Sequence, residues 1–389
     1  MIYSKDKVKL LRATTVPTSL NSFCRGVLKE LRQEGYDVVA VSSPGPELQE
    51  VEKREGCRTI AVPMQRHISP MSDLKSLWRM TWVMHRERPG IVHSMTPKAG
   101  LICMISAWLA RVPVRIHTFT GLVWPTATGL KRRLLMFTDW ITCACATHVI
   151  PEGEGVKADL LNHHITRKPI KVLGFGNVRG VDLDYWKPRA TTHVDNEGRG
   201  HIFTFVFVGR IVADKGINEL VSAFKQLNQE RRDTRLLLVG QREDDFDPVL
   251  PATVAEMQSN AAIQVVGPKD DVRPFYEMAD ALVFPSYREG FPNVVLEAGA
   301  MGLPSIVTDI NGSREIIEEG VNGTIIPPRD AHALYMAMKR FLNETAWVHA
   351  MASRARPMVA SRYEQGYVRR CLKDFYAQCI AEKITTEDC

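Results

Sequence analysis

The sequence predicts two α/β domains, each a doubly wound Rossmann-like parallel sheet, with a cleft between them. Three observations point there. Short apolar segments alternate with helical patterns along the chain, and that alternation builds parallel sheets covered by helices on both faces. One polar stretch, Lys187 to Gly200, interrupts the alternation. At 389 residues the chain has room for two domains that each bury a core.

Taken in order, Val8–Leu11, Asp37–Ser42, Arg58–Val62, Ile91–His93, Val114–His117, Thr147–Ile150 and Ile170–Leu173 read as strands of the first domain. Helical patterns such as Ser19–Gln33, Ser72–Glu87 and Gly129–Ala146 lie between them, with Ser19 and Asn21 expected to cap the first. After the polar stretch, Phe203–Gly209, Leu236–Gly240, Ile263–Gly267, Ala281–Pro285, Pro304–Thr308 and Gly323–Ile326 read as strands. The helices expected among them are Ile217–Asn228, Val272–Ala279, Pro292–Met301, Ser313–Glu319 and Asp330–Asn343. From Ala346 to about Ile384 the pattern is helical without a strand. The predicted domains are 1–186 and 187–389, with the C-terminal helices packing back on the first. No repeat of about 20–50 residues recurs, which excludes a solenoid.

Composition is that of a globular protein, 45% apolar and 24% charged. The net charge of +6 permits an anionic substrate or an anionic membrane surface as partner. No block joins dense Lys/Arg to interleaved aromatics in the manner of a nucleic-acid site. Eight scattered cysteines without a CxxC pair read as reduced thiols, and so as a cytoplasmic chain. The first residues carry no apolar signal core, and the longest apolar run, Ala99 to Ala110, is too short to span a bilayer.

The chemistry concentrates in Ser286-Tyr-Arg-Glu289-Gly-Phe-Pro-Asn-Val-Val-Leu-Glu297, which follows the strand at Ala281. Glu289 falls on a loop and Glu297 inside a helix that is apolar nearly all round. A carboxylate on a buried helix needs hydrogen-bond partners. A second strand end, Phe205-Val-Phe-Val-Gly-Arg210-Ile-Val-Ala-Asp-Lys215-Gly, presents two cations before a helix. Strand carboxyl ends of one parallel sheet share an edge, so both loops face one crevice. Two cations and a helix N-terminus suit a diphosphate, and two carboxylates suit sugar hydroxyls. The triplets Asp182-Leu-Asp184 and Asp245-Phe-Asp247 read as turn and loop acids. Lys and Arg suffice for the diphosphate, so neither a metal nor another cofactor is expected.

This combination resembles the retaining glycosyltransferases of the GT-B fold, the E-x7-E or family 4 type, in the branch of capsular-polysaccharide and lipid-linked-oligosaccharide enzymes. The E-x7-E motif is Glu289 to Glu297. Around it stand Phe-Val-Gly-Arg210, Asp-Lys215-Gly, Glu-Gly-Phe-Pro-Asn293 and Asp309-Ile-Asn-Gly-Ser-Arg-Glu315. The resemblance implies that Glu297 holds the nucleotide ribose and Glu289 the hydroxyls of the transferred sugar. It implies that Arg210 and Lys215 hold the diphosphate and stabilise it on departure. Gly290 and the backbone from Phe291 through Pro292 and Asn293 to Val294 would assist at the helix start, with Ile263 to Gly267 near the base.

The first domain departs from the family pattern. Relatives commonly carry H-x-H where this chain has His93-Ser-Met95, and a histidine before the glycine where it has Thr120-Gly121. That histidine's role near the donor sugar falls to Thr120, His117 or His93, or is unfilled. The usual glycine pair after the first strand is replaced by Val16-Pro-Thr-Ser-Leu20. The stretch from Thr120 to Pro125 and the Leu130-Lys-Arg-Arg-Leu segment interleave apolar and basic residues. They read either as a core helix with a basic rim or as a contact with a membrane surface. The expected function is transfer of a sugar, most simply from a UDP-sugar, to a lipid-linked or polysaccharide acceptor. The alternatives are a non-catalytic nucleotide-sugar-binding or scaffold relative and a nucleotide-sugar epimerase.

Overall fold

The computed structural model describes residues 8–65, 69–188, 201–245 and 247–387, with side chains described as far as residue 383. The chain forms two compact units, 1–180 with 365–389, and 181–364. The first contains strands β1 (Lys9–Ala13), β2 (Asp37–Ser42), β3 (Arg58–Ala61), β4 (Ile91–Met95), β5 (Val114–Phe119) and β6 (His148–Pro151). All pairs are parallel, in the order β3-β2-β1-β4-β5-β6. Alternate residues feed two separate cores. Leu11, Val39, Val41 and Val92 pack on one face, under the helices Pro70–Glu87, Pro97–Leu109 and Gly129–Cys145. Leu10, Val38, Ala40 and Ile116 pack on the other, with Leu20, Leu31 and Val51 and with Leu372, Tyr376 and Ile380 of the last helix. Strands buried on both faces are what a doubly wound sheet requires.

Several expectations are corrected here. The pattern at Ser19–Gln33 is two helices, Pro17–Phe23 and Val27–Gln33, separated at Gly26. Glu55, itself buried, accepts from Gly26 N at 2.8 Å and Lys29 N at 3.0 Å, satisfying amide donors at the start of the second helix. Ser19 and Asn21 do not cap; the first helix begins at Pro17 behind Val16, and both residues lie inside it. Residues 170–173 form no strand. They follow Pro169, which has no N–H to offer a ladder, and β6 stays the edge of the sheet. The linker expected from Lys187 to Gly200 lies, from residue 189 on, outside the described residues.

The units divide after Gly180 rather than after residue 186, because 181–186 is tied to the second. Val181 N bonds Tyr363 O at 2.8 Å, and Arg356 donates to the carbonyls of Leu183 and Trp186 at 2.8 and 2.6 Å. The helical tail is broken at Glu364 into Thr345–Tyr363, in the second unit, and Gln365–Glu387, in the first.

The second unit repeats the plan with β7 (Phe203–Val208), β8 (Thr234–Val239), β9 (Ile263–Gly267), β10 (Ala281–Phe284), β11 (Ser305–Thr308) and β12 (Gly323–Ile326). Their order, β12-β11-β10-β7-β8-β9, is that of the first sheet read from its other edge. In both, the strand order reverses between the first and fourth strands, and ligands of open α/β sheets bind outside the carboxyl ends at such a switch point. The second unit's switch point lies between β7 and β10. A helix the pattern did not disclose, Pro251–Ser259, joins β8 to β9.

Candidate active site

Both loops singled out in the second half leave the carboxyl ends of the two switch-point strands. After β7 the chain passes through Arg210 into a single 3-10 turn, Ala213–Lys215, and on to the helix Ile217–Glu230. Gly216 joins turn and helix at φ +70, and a Cβ there would lie 2.1 Å from the Pro285 carbonyl oxygen. The two loops touch through backbone, which only glycine permits. Tyr287 N donates to Asp214 O at 2.9 Å, and the Arg288 guanidinium pairs with the Asp214 carboxylate at 3.1 Å. Gly312, at φ +76, brings the Asp309–Glu315 segment in the same way, its Cβ position 2.5 Å from the Gly290 carbonyl.

Within this frame Lys215 Nζ is ion-paired to Glu289 Oε1, and Ser286 Oγ donates to the same oxygen at 2.8 Å. Lys215 also stands 5.3 Å from the centre of the Phe284 ring. Ser286 is fully buried. Asp247 accepts from the backbone N–H of Asp214 at 2.6 Å and fixes the turn that carries Lys215. Sequence reasoning named Lys215 and Glu289 but missed Ser286 and Asp247 as their supports. Ser286 offered one signal, its place three residues before Glu289; Asp247 offered none, being 32 residues beyond Lys215.

The helix bearing Glu297 runs Asn293–Ala300, with Pro292 at its N-cap and Met301 at its C-cap. Glu297 is 8% exposed on that buried helix. Phe291 anchors the loop against Tyr363, ring centres 5.4 Å apart, and Val294 O accepts from the Tyr276 hydroxyl. Gly290 and Pro292 are buried, while Asn293 and Val294 are half-buried. Gly267 ends β9 at φ +78 in open space. Arg210 stands apart from the Lys215–Glu289 pair: its guanidinium is half exposed and bonds Glu243 at 2.8 Å. Asp182 accepts from Asp184 N and Tyr185 N, as a turn acid does. Among the described residues no group of three or more His, Cys, Asp or Glu is placed to hold a metal ion.

In the first unit His93 and His117 are 1% exposed. His93 bonds Thr118 through Nε2 at 2.6 Å, and its Nδ1 lies 2.6 Å from both Tyr376 Oη and Arg12 Nη1. Burial, with the Arg12 charge beside it, holds its pKa well below the usual value, so the ring is neutral. Burial likewise takes His117 down to about 3, and its Nδ1 faces Ser94 Oγ at 2.9 Å. Thr120 is half-buried at the end of β5, just before Gly121 at φ +111. His93 and Thr118 help line a small cavity above the strand ends, with Arg12, Glu152 and Asn177. In place of the missing glycines, Thr15 Oγ1 lies 2.8 Å from Thr96 Oγ1 and accepts from Ala99 N, tying β1 to β4 at this unit's switch point.

Two family models match the chain: "Glycosyl transferases group 1" over residues 202–344 and "Glycosyl transferase 4-like domain" over 20–176. The chain is 31% identical over 383 residues to the capsular polysaccharide biosynthesis glycosyltransferase CapM of Staphylococcus aureus, covering 96% of this chain and 98% of that one. It is 25% identical to the UDP-Gal:alpha-D-GlcNAc-diphosphoundecaprenol alpha-1,3-galactosyltransferase of Escherichia coli, over 97% and 99% of the two chains. Among solved structures, Anabaena HepE in complex with UDP superposes with a TM-score of 0.78 at 16% identity, over 95% of this chain and all of that one. With a full-length relative at that identity, both halves matched and a shared GT-B fold, the chain belongs to the group 1 glycosyltransferases and is a glycosyltransferase.

Proposed function

We propose that this glycosyltransferase moves a sugar from a UDP-linked donor to a lipid-linked or polysaccharide acceptor in surface-glycan synthesis, with retention of configuration and without a metal. The observation that carries the reading is the Lys215–Glu289–Ser286 cluster at the carboxyl ends of β7 and β10. A cation and a carboxylate fixed side by side at a switch point offer one group for a diphosphate and one for sugar hydroxyls. The relatives support the substrates: CapM is named for capsular polysaccharide, and the E. coli enzyme for a UDP-galactose donor and a diphosphoundecaprenol acceptor.

In this reading the donor's C1–O bond breaks with its electron pair moving onto the diphosphate. Lys215, with Arg210 turning from Glu243, stabilises that charge. The acceptor hydroxyl oxygen bonds to C1 on the face the diphosphate leaves, and its proton passes to the departing diphosphate oxygen. Glu289 orients the transferred sugar, Glu297 the ribose, and the backbone from Gly290 to Val294 the phosphates at the helix start. Thr120 stands in for the usual first-domain histidine, since His93 and His117 are buried and neutral. Action on a lipid-linked glycan places the protein at the inner membrane face as a peripheral enzyme; among the described residues no helix is long and apolar enough to cross a membrane.

The test is Glu289→Gln, which keeps the hydrogen bond from Ser286 and removes the charge. Transfer from UDP-sugars should fall by about 100-fold or more, while UDP still raises the melting temperature. Parent-like turnover by the variant, or a parent that no uridine nucleotide stabilises, sinks the reading. Full activity of the parent in EDTA is expected, and its loss would overturn metal independence.

A further inference from the structure

The helices Pro70–Glu87, Pro97–Leu109 and Gly129–Cys145 lie side by side over one face of the first sheet, the middle one packed against both others. Thr81 on the first helix bonds Ser106 on the second at 3.1 Å. The two outer helices turn Met80, Val83 and Met84, and Thr142 and Cys143, inward. Their outward stripes are unlike ordinary solvated helix faces. On 70–87, Met71, Leu74, Trp78 and Trp82 are exposed at spacings of three and four, with the exposed cations Lys75 and Arg79 between them and Arg86 one turn beyond. On 129–145, Leu130, Leu134, Phe137 and Trp140 repeat the pattern beside Lys131 and Arg133. Trp108 and Leu109 are exposed at the end of the middle helix, next to Arg111.

These are not grazing exposures: Trp78 and Leu130 are 71% and 82% accessible. The Arg86 guanidinium sits 5.2 Å from the Trp82 ring centre, and Phe137 stacks on Trp140 at 5.9 Å. Neither stripe holds an exposed acid. Asp73 is paired to Lys98, Glu87 is buried against Lys9 and Arg58, and Asp139 is buried. Residues 70–145 hold ten Lys and Arg against three acids, a net +7, whereas the whole chain carries only +6 (50 − 44). The chain's positive balance therefore resides in this segment.

Isolated exposed apolar residues are normal, but two parallel stripes that repeat the same mixture are not. A protein interface excludes lysine and charge from its core. A symmetric second copy would set these cations against their own kind. Indole rings with arginine and lysine beside them match a bilayer surface, where rings sit at headgroup depth and cations meet phosphates. We propose that this face, formed by the 70–87 and 129–145 helices and the end of the 97–109 helix, docks the protein on a bilayer bearing anionic headgroups. Its use to the enzyme rests on the lipid-linked acceptor of the proposed function, but its test does not.

The test is flotation of the full chain with vesicles, without donor or acceptor. Phosphatidylcholine alone is compared with an equal mixture of phosphatidylcholine and phosphatidylglycerol. The parent should float with the mixture only and should release at high salt. The triple variant Lys75→Glu/Arg79→Glu/Arg86→Glu should bind the mixture about 100-fold more weakly, near fivefold for each cation lost. Trp78→Ser/Trp82→Ser should bind about tenfold more weakly. Unchanged urea midpoints and an unchanged melting-temperature rise with UDP show that both variants fold and keep the donor site. A parent that does not float with the mixture overturns the proposal. So do variants that float as well as the parent, or variants whose only change is in oligomeric state. Loss of the UDP response with flotation retained would instead strike the donor reading alone.

Discussion

Glu289 receives both of its observed partners, Lys215 and Ser286, on Oε1, and among the described residues no protein group bonds Oε2. The carboxylate is thus held through Oε1. Asp139 is a residue whose cost the fold bears elsewhere. Burial pushes its carboxyl up to about 7, and the facing Trp124 indole opposes the shift without a hydrogen bond from Nε1 to any acceptor. Between its ordinary value of 3.8 and about 7 the folded chain holds a proton that the unfolded chain has released. This group's contribution to stability is therefore complete below about pH 4 and is lost as pH rises to 7. Asp139→Asn should gain up to about 4 kcal/mol relative to the parent at pH 8, and little at pH 4. Urea midpoints at both pH values check it, and an equal difference at the two sinks it. Buried His93 and His117 act in the opposite sense, losing stability as pH falls below the ordinary histidine range, but they cancel in that comparison.

At the scale of elements, the site exists because two strand–loop–helix units close on each other through glycine. Gly216 is the joint between these two loops, since neither its φ nor the 2.1 Å approach of Pro285 O tolerates a side chain. Gly216→Ala should cost about 2 kcal/mol or more of stability. Because the loops must part, transfer should fall at least about tenfold even where the protein is fully folded. Activity assayed well below the melting temperature tests this, and parent-like turnover there would show that the Lys215 and Glu289 loops need not touch. The break between the 17–23 and 27–33 helices obeys a different logic. Gly26 ends the periodicity, but it is the buried Glu55, from another helix, that satisfies the exposed amides.

At the scale of the whole molecule, the first unit is closed by a segment that comes last in the chain. Tyr376 is fully buried there, its hydroxyl 2.6 Å from both Arg12 Nη1 and His93 Nδ1, with Leu372 and Ile380 beside it in the core. Tyr376→Ala removes a large side chain and two polar partners together. It should destabilise this unit by about 3–5 kcal/mol. The same substitution leaves the Lys215–Glu289 cluster untouched, so a rise of melting temperature with UDP should survive it. Calorimetry of the parent and variant with and without UDP checks both halves, and an unshifted transition would show that the last helix does not hold the first sheet.

The short apolar segments of β1 and β2, the helical patterns and the order strand–loop–helix around Glu289 were legible because each depends on neighbours within a few residues. So was the family, through the spacing of Glu289 and Glu297 with Arg210 and Lys215. Tertiary structure alone decided which of those residues meet. It joined Lys215 to Glu289, 74 residues apart, turned Arg210 to Glu243, and buried His93 and His117 beneath the surface. It also left residues 170–173 out of the first sheet, whose edge stays at β6. Periodicity records which way a side chain faces its own element. Only packing fixes which distant charge it finds there, and whether water can reach it.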